Sequence, residues 1–278
     1  MMRCKRMPKK NKRLETGDWG VSSLQSLISS LFLLLLLVGL AACNGRSQTW
    51  SRIQEEGVLR VGLDPTYPPF EVDANGELTG LDVDLARAIG ADLGVEVAFS
   101  YFGYDGLYDA LGTGQVDVLI SALVVDPLRM EDFAYSEPYF NAGQILLVPE
   151  GETAVTAMTD LTDRTLAVEL GAQGHVEALA WSRRLVGLTV QPYTTPEEAL
   201  TAVRSDEADA ALLDGVNGRL LLRDYPGLTH TAEPVTVEPY ALVVRIADSD
   251  LLGHLNDSLA RLQTSGELDR IIVNWLGE

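Results

Sequence analysis

From Val58 to Trp275 short apolar runs of strand length alternate with segments of helical period, and that alternation restricts the fold more than any other feature. Val58 to Gly62, Val95 to Tyr101, Thr165 to Val168, Leu188 to Gln191, Ala208 to Leu213 and Tyr240 to Arg245 read as strands. Between them, Leu81, Leu85, Ala88, Ile89 and Leu93 recur on one helical face. Leu107 to Leu111, Val176 to Arg184 and Val216 to Arg223 also read as helices. Thr195-Pro196-Glu197-Glu198 opens another, with Thr as N-cap, Pro at N1 and Glu at N3. Asp248 caps a helix reaching Gln263, and a last one runs from Leu268 to Trp275. Val116 to Ser121 and Gln144 to Val148 are continuous apolar runs, suited to a parallel sheet covered on both faces. Asn75-Gly76 marks a hairpin within Phe70 to Leu78. Such alternation specifies an α/β architecture with mostly parallel sheets.

The pattern starts afresh after Pro- and Gly-punctuated stretches near Val148-Pro149-Glu150-Gly151 and Glu233-Pro234. This spacing predicts two lobes. Residues 53–148 begin lobe I, 149–235 form an inserted lobe II, and 236–278 return to lobe I. A ligand is expected between them, where clefts commonly lie.

The N-terminal segment has a different composition. Seven Lys and Arg residues precede Glu15, an apolar stretch runs from Leu31 to Ala42, and Leu40-Ala41-Ala42 stand before Cys43. This is the order of an export signal, and it resembles a bacterial lipoprotein box in which the cysteine is lipidated, for instance with palmitate. A spanning helix needs roughly 20 apolar residues, and Ser29-Ser30 interrupt this run. Residues 1–42 are thus expected to be a signal peptide and 43–52 a tether, with the protein extracytoplasmic and membrane-held through Cys43. Of the 21 basic and 40 acidic side chains, the leader holds seven basic residues plus Glu15 and Asp18. That leaves 14 against 38, a net charge of −24, with every cation an arginine. Such a surface repels nucleic acid and anionic headgroups. With Cys4 in the leader and Cys43 lipidated, no disulfide is expected, and the folded part is expected to be a monomer.

Gly62-Leu63-Asp64-Pro65-Thr66-Tyr67-Pro68-Pro69-Phe70-Glu71 opens a series of ordered motifs. Gly80-Leu81-Asp82-Val83-Asp84-Leu85 follows, then Leu111-Gly112-Thr113-Gly114-Gln115-Val116-Asp117-Val118, Pro127-Leu128-Arg129 and Tyr135-Ser136-Glu137-Pro138-Tyr139-Phe140. Gly171-Ala172-Gln173-Gly174 and Ala208-Asp209-Ala210 through Asp214 complete it. The series, over about residues 53 to 276, resembles family 3 of the extracellular solute-binding proteins, which bind polar amino acids for ABC importers. That resemblance implies a two-lobed type II periplasmic-binding-protein fold with a ligand cleft between the lobes, and no cofactor or metal.

A free amino acid presents a carboxylate, an ammonium and one side chain. Guanidinium binds carboxylate through two parallel hydrogen bonds, and the family's arginine with this role matches Arg129. Its ammonium-binding acid matches Asp214, which on local grounds alone reads as a helix N-cap. Tyr67 and Tyr104 match residues covering the ligand's aliphatic part. Gln173 stands where backbone amides at a helix start favour a carboxylate, although the family commonly has threonine there. Ser121 and Ala122 end a strand where hydroxyl and carbonyl groups meet the ammonium. Val124 replaces the usual Ser or Thr, a loss of one hydrogen bond worth about 1 kcal/mol. Glu169 and Asp64 match the specificity end, where two acids favour arginine, lysine or ornithine, with a neutral polar amino acid such as glutamine next.

Two other classes remain. The family's fold also hosts a cyclohexadienyl dehydratase-like enzyme, in which a cleft carboxyl such as Glu169 acts as general acid. However, His175, His230 and His254 are widely spaced, and Gly103, Gly106, Gly112 and Gly114 make no dinucleotide fingerprint. A stand-alone sensor is the third class. The last predicted helix closes just before Glu278 with no signalling segment after it, which favours delivery to a separate permease. The expectation is therefore a binding protein and not an enzyme.

Overall fold

The structure is a computed structural model that describes residues 48–277 except Asn75. The leader, Cys43 and most of the expected tether lie outside the described residues.

Folded structure starts inside the range assigned to the tether. Helix α1, Thr49–Glu56, buries Ile53 completely and stacks Trp50 on His254 with ring centres 4.0 Å apart. Strands β1 (Val58–Leu63), β2 (Thr66–Tyr67), β3 (Glu71–Ala74) and β4 (Glu77–Thr79) follow, then helix α2, Leu81–Leu93. Next come β5 (Glu96–Tyr101), α3 (Leu107–Gly112), β6 (Val118–Leu119), β7 (Phe133–Tyr135) and β8 (Phe140–Asn141). The inserted half contains β9 (Ile145–Pro149), β10 (Thr165–Glu169), α4 (Gln173–Ser182), β11 (Thr189–Tyr193), α5 (Pro196–Arg204), β12 (Ala210–Leu213), α6 (Gly215–Leu222) and β13 (Leu228–His230). The chain ends with β14 (Pro239–Tyr240), β15 (Val243–Arg245), α7 (Ser249–Thr264) and α8 (Glu267–Leu276).

Two five-stranded sheets result, ordered β5-β1-β6-β15-β7 and β11-β10-β12-β9-β13. In each, three strands run parallel, while the fourth pairs antiparallel with both neighbours. That fourth strand is the one that has just crossed from the other half: β9 in the second sheet, β15 in the first. The apolar run Gln144 to Val148 therefore enters an antiparallel ladder, not the parallel one its composition suggests. It also belongs to the second sheet, so the first crossing precedes residue 145 and not the Pro149-Gly151 punctuation. Apolar character reports burial on both faces, and direction is set by the crossing.

Burial shows the same logic. In the second sheet Ala167, Ala211, Leu213, Ile145 and Leu147 face α5 through Ala199, Leu200 and Val203. Their neighbours Leu166, Val168, Ala210, Leu212 and Leu146 face the opposite way, onto Ala178, Met158 and Leu161. Both faces are covered, as runs without alternation require. The first half packs α2, α7 and α8 on its sheet through Leu81, Leu85, Ile89, Leu255, Leu259 and Ile271. Asp248 stands at the start of α7, and its carboxylate accepts from Thr49 Oγ1 at 2.8 Å and pairs with Arg245 at 2.6 Å.

The run Tyr240 to Arg245 is not one strand. β14 pairs with β8 in a small antiparallel ladder, and only β15 joins the first sheet. The two crossing segments thus lie side by side, held by Ala142 N donating to Glu238 O at 3.0 Å and Val235 N to Gln144 O at 2.6 Å. Gly143 is needed there because a Cβ would stand 2.0 Å from Thr236 O.

Candidate functional site

The ends of β1 and β6 and the short helix Pro127–Arg129 build one wall of the candidate site. Asp126 caps this helix, accepting from Leu128 N at 2.9 Å, and Pro127 fills its first position. This turn presents Arg129 over the ring of Tyr108, with the guanidinium carbon 4.0 Å from the ring centre, and pairs it with Asp126 at 3.3 Å. The side chain remains 47% exposed, enough to receive an anion. Tyr104, Tyr108, Val124, Val125, Asp126, Pro127 and Arg129 line an open groove of about 330 Å³. Tyr108 lies almost fully buried, its hydroxyl 3.1 Å from that of Tyr135. Burial and the Tyr135 hydroxyl push the Tyr108 phenol far up, so it stays neutral beneath the guanidinium.

Val124 is half exposed and bridges to Tyr240 on the second crossing. Around Tyr240 the two halves meet. Its hydroxyl lies 3.4 Å from that of Tyr67, from the first half, and burial, the Tyr67 hydroxyl and the charge of Asp214, from the second half, all raise its pKa. Tyr67 stacks on Phe70 with ring centres 5.5 Å apart and keeps 44% of its surface exposed.

Asp214 ends β12 and caps α6: one oxygen accepts from Val216 N at 3.0 Å and Asn217 N at 2.9 Å. The local N-cap reading is the one this geometry displays, and the cap occupies only Oδ1. Glu169 ends β10, partly exposed, and Gln173 begins α4, exposed. Among the described residues no hydrogen bond or ion pair engages the Glu169 carboxylate.

Asp64 and Ser121 sit differently from a simple ligand-facing role. The two Asp64 oxygens accept from Thr66 Oγ1 at 2.8 Å and Tyr104 N at 2.9 Å, so this carboxylate orders the loop that carries Tyr104. The Ser121 hydroxyl is buried, accepting from Asp64 N at 3.0 Å and donating to Glu71 Oε1 at 2.6 Å. Ala122 adopts a left-handed φ of 44°, with its N–H donating to Asp82 Oδ2 at 2.6 Å.

The sequence reading passed over Tyr240, Tyr108, Glu71, Asp82 and Tyr139 as site residues. Glu71, Asp82 and Tyr139 stand inside the ordered motifs, and for Glu71 and Asp82 an acid next to apolar residues is the available signal.

The pattern of bacterial extracellular solute-binding proteins, family 3, matches residues 59–278. The L-cystine-binding protein of Escherichia coli (strain K12) is 30% identical over 235 residues, which cover 82% of this chain and 85% of that protein. The arginine-binding extracellular protein of Bacillus subtilis (strain 168) is 25% identical over 87% of this chain and 96% of its own. Among solved structures, the unliganded open L-cystine solute receptor of Neisseria gonorrhoeae superimposes with a TM-score of 0.70 at 26% identity, covering 82% of this chain and 96% of that one. An ancestral cyclohexadienyl dehydratase gives 0.72 at 26% identity, covering 82% and 95%. The two linked sheets are the two-lobed type II periplasmic-binding fold. This chain belongs to the bacterial extracellular solute-binding proteins, family 3.

Proposed function

We propose that the protein binds an amino acid between its lobes outside the cytoplasm and delivers it to an ABC permease. The observation that carries this reading is Arg129, a half-exposed guanidinium held over Tyr108 in a groove lined by Tyr104 and Val124. A ligand carboxylate replaces Asp126 as its partner in a bidentate pair. Asp214 takes the ammonium with the oxygen its helix cap leaves over, and backbone amides at Gln173 add to the carboxylate. Tyr67 and Tyr104 cover the aliphatic portion, beside Ser121, Ala122 and Val124. Because Arg129 and Asp214 belong to different halves, one ligand bridges them and favours the closed arrangement of a preexisting equilibrium. The crossing segments, tied at Ala142–Glu238 and Gln144–Val235, supply the hinge.

Specificity rests on Glu169, since Asp64 spends its oxygens on Thr66 and Tyr104. A carboxylate there favours arginine, lysine or ornithine over acidic amino acids. Cys43 carries the lipid that keeps the monomeric protein at the membrane.

The likeness to a dehydratase fold supports a second reading, an enzyme using Glu169 as acid. Thermal unfolding of the mature protein with each proteinogenic amino acid, ornithine and L-cystine tests the proposal. A ligand at 100 times its Kd adds about 2.7 kcal/mol, which raises Tm by roughly 5–10 °C for a domain of this size. A shift with basic amino acids supports the full proposal, and a shift with glutamine or L-cystine alone overturns the basic preference. No shift with any of them overturns amino-acid binding.

A further inference from the structure

Behind the wall that carries Ser121 and Ala122 lies a pair of buried acids. Glu71 is 1% exposed and Asp82 fully buried, from β3 and the first turn of α2. Gly80 allows them to meet: its φ of 141° turns the chain so that Asp82 N donates to Phe70 O at 2.9 Å, and a Cβ would stand 2.0 Å from that oxygen. Glu71 Oε1 accepts from Ser121, and Asp82 Oδ2 accepts from Ala122 N–H. The remaining oxygens, Glu71 Oε2 and Asp82 Oδ1, complete no hydrogen bond as a pair of carboxylates, and the buried Tyr139 hydroxyl lies beside Asp82. Two buried carboxylates side by side repel, whereas one proton between them supplies the missing donor. Among the described residues no arginine or histidine contributes to either carboxyl; the charged or titratable groups acting on them are each other, Tyr139 and, on Glu71, Asp64.

We propose that Glu71 and Asp82 are positioning residues that share a single proton, Glu71 holding it as a neutral acid and Asp82 keeping the charge that clamps Ala122 in its left-handed conformation. The assignment rests on the binding reading only for its consequence, the shape that Ser121, Ala122 and Val124 offer to a ligand. The helix start favours the charge on Asp82 over Glu71. Burial, followed by the charge of Asp82, raises Glu71 to about 10, while Asp82, also raised by burial, is held back by Tyr139, Glu71 and the Ala122 N–H. A left-handed φ is disfavoured for alanine, so the turn needs such a clamp.

The sign follows. Between the unfolded glutamate value of about 4.3 and the raised folded value, the native protein holds a proton that the unfolded chain releases. Stability is therefore full on the acid side and declines as pH rises, the folding constant falling about tenfold per pH unit. Chemical unfolding of wild-type and Glu71→Gln protein across about pH 6 to about pH 9 isolates this term by difference. A wild-type decline absent from Glu71→Gln is expected, and parallel curves overturn the shared proton. Infrared spectra give a second reading if the variant fails to fold. A protonated-acid carbonyl band in neutral wild-type solution, shifted by ¹³C-labelled glutamate, is expected, and its absence overturns the proposal. For the clamp, exchange of the Ala122 amide should accelerate at least about tenfold in Asp82→Asn, where a charged acceptor is replaced by a neutral one; an unchanged rate overturns it. These readouts use the free protein, so a failure of every amino acid to bind leaves them standing and counts only against the binding reading.

Discussion

The guanidinium carbon of Arg129 lies over the ring of Tyr108, 4.0 Å from its centre, and that contact aims the guanidinium without cancelling its charge. Asp126, the ionic partner, is a weaker hold at 3.3 Å between two side chains that are both substantially exposed. Under the proposed function a ligand carboxylate displaces Asp126 while the Tyr108 ring continues to hold the guanidinium. Arg129→Ala should weaken amino-acid binding at least about tenfold, the loss of charge-assisted hydrogen bonds. Arg129→Lys should recover little, having neither the fork nor the stacking plane. Titration calorimetry on both variants checks this, and wild-type affinity in the lysine variant would refute a bidentate role.

Asp214 caps α6, and the ammonium role proposed for it can be separated from the cap by substitution. One oxygen caps α6 through Val216 N and Asn217 N. Asp214→Asn keeps a capping oxygen but loses the charge, so stability should change by only a few tenths of a kcal/mol while affinity drops. Asp214→Ala should lose about 1 kcal/mol of stability as well. Melting curves set beside binding titrations of the two variants read the difference.

Asp117 is fully buried, yet both of its oxygens are engaged by cations. Arg60 Nη2 reaches Oδ1 at 2.6 Å, and Arg52 Nη2 reaches Oδ2 at 2.5 Å alongside Arg60 N at 2.9 Å. Asp117→Ala strands two arginines and a backbone amide, and should cost roughly 3 kcal/mol. Arg52→Ala leaves the Arg60 fork in place and should cost less. Chemical denaturation ranks the two.

Gly143 is where the crossings touch. A methyl group there must displace Thr236 backbone, an overpacking cost of about 1–3 kcal/mol. Gly143→Ala should lower Tm and alter the opening of the lobes, the latter visible by small-angle scattering with and without ligand.

Much of this was legible beforehand where one physical cause dominated. Helix α2 begins and ends at Leu81 and Leu93 because its apolar face is regular and a left-handed Gly94 stops it. Thr195 caps α5, accepting from Glu198 N at 3.3 Å, because the local chemistry admits little else. Strand direction was not legible, since Ile145–Pro149 is equally apolar in either orientation. Nor was the break between Tyr240 and Val243, where neighbouring chain and not composition divides one apolar run between two ladders. Within the candidate site, the motifs single out Arg129 and Asp214, whose ligand roles belong to the proposed function. Ser121 and Asp64 could be placed but not oriented, because their partners Glu71 and Tyr104 come from distant turns. Tyr240 gave no signal of its own; its importance arises from where two crossings meet.

The reciprocal exchange of strands sets a timetable for synthesis. Nothing links β6 to β7 within the first sheet until Val243–Arg245 arrives between them. A nascent chain lacking only its final segment therefore holds every residue of the Arg129 wall and still cannot close the sheet beneath it. The second sheet has its last strand by His230, so the inserted half can complete its ladder first, and the half that starts the chain is the one left waiting for the later segment.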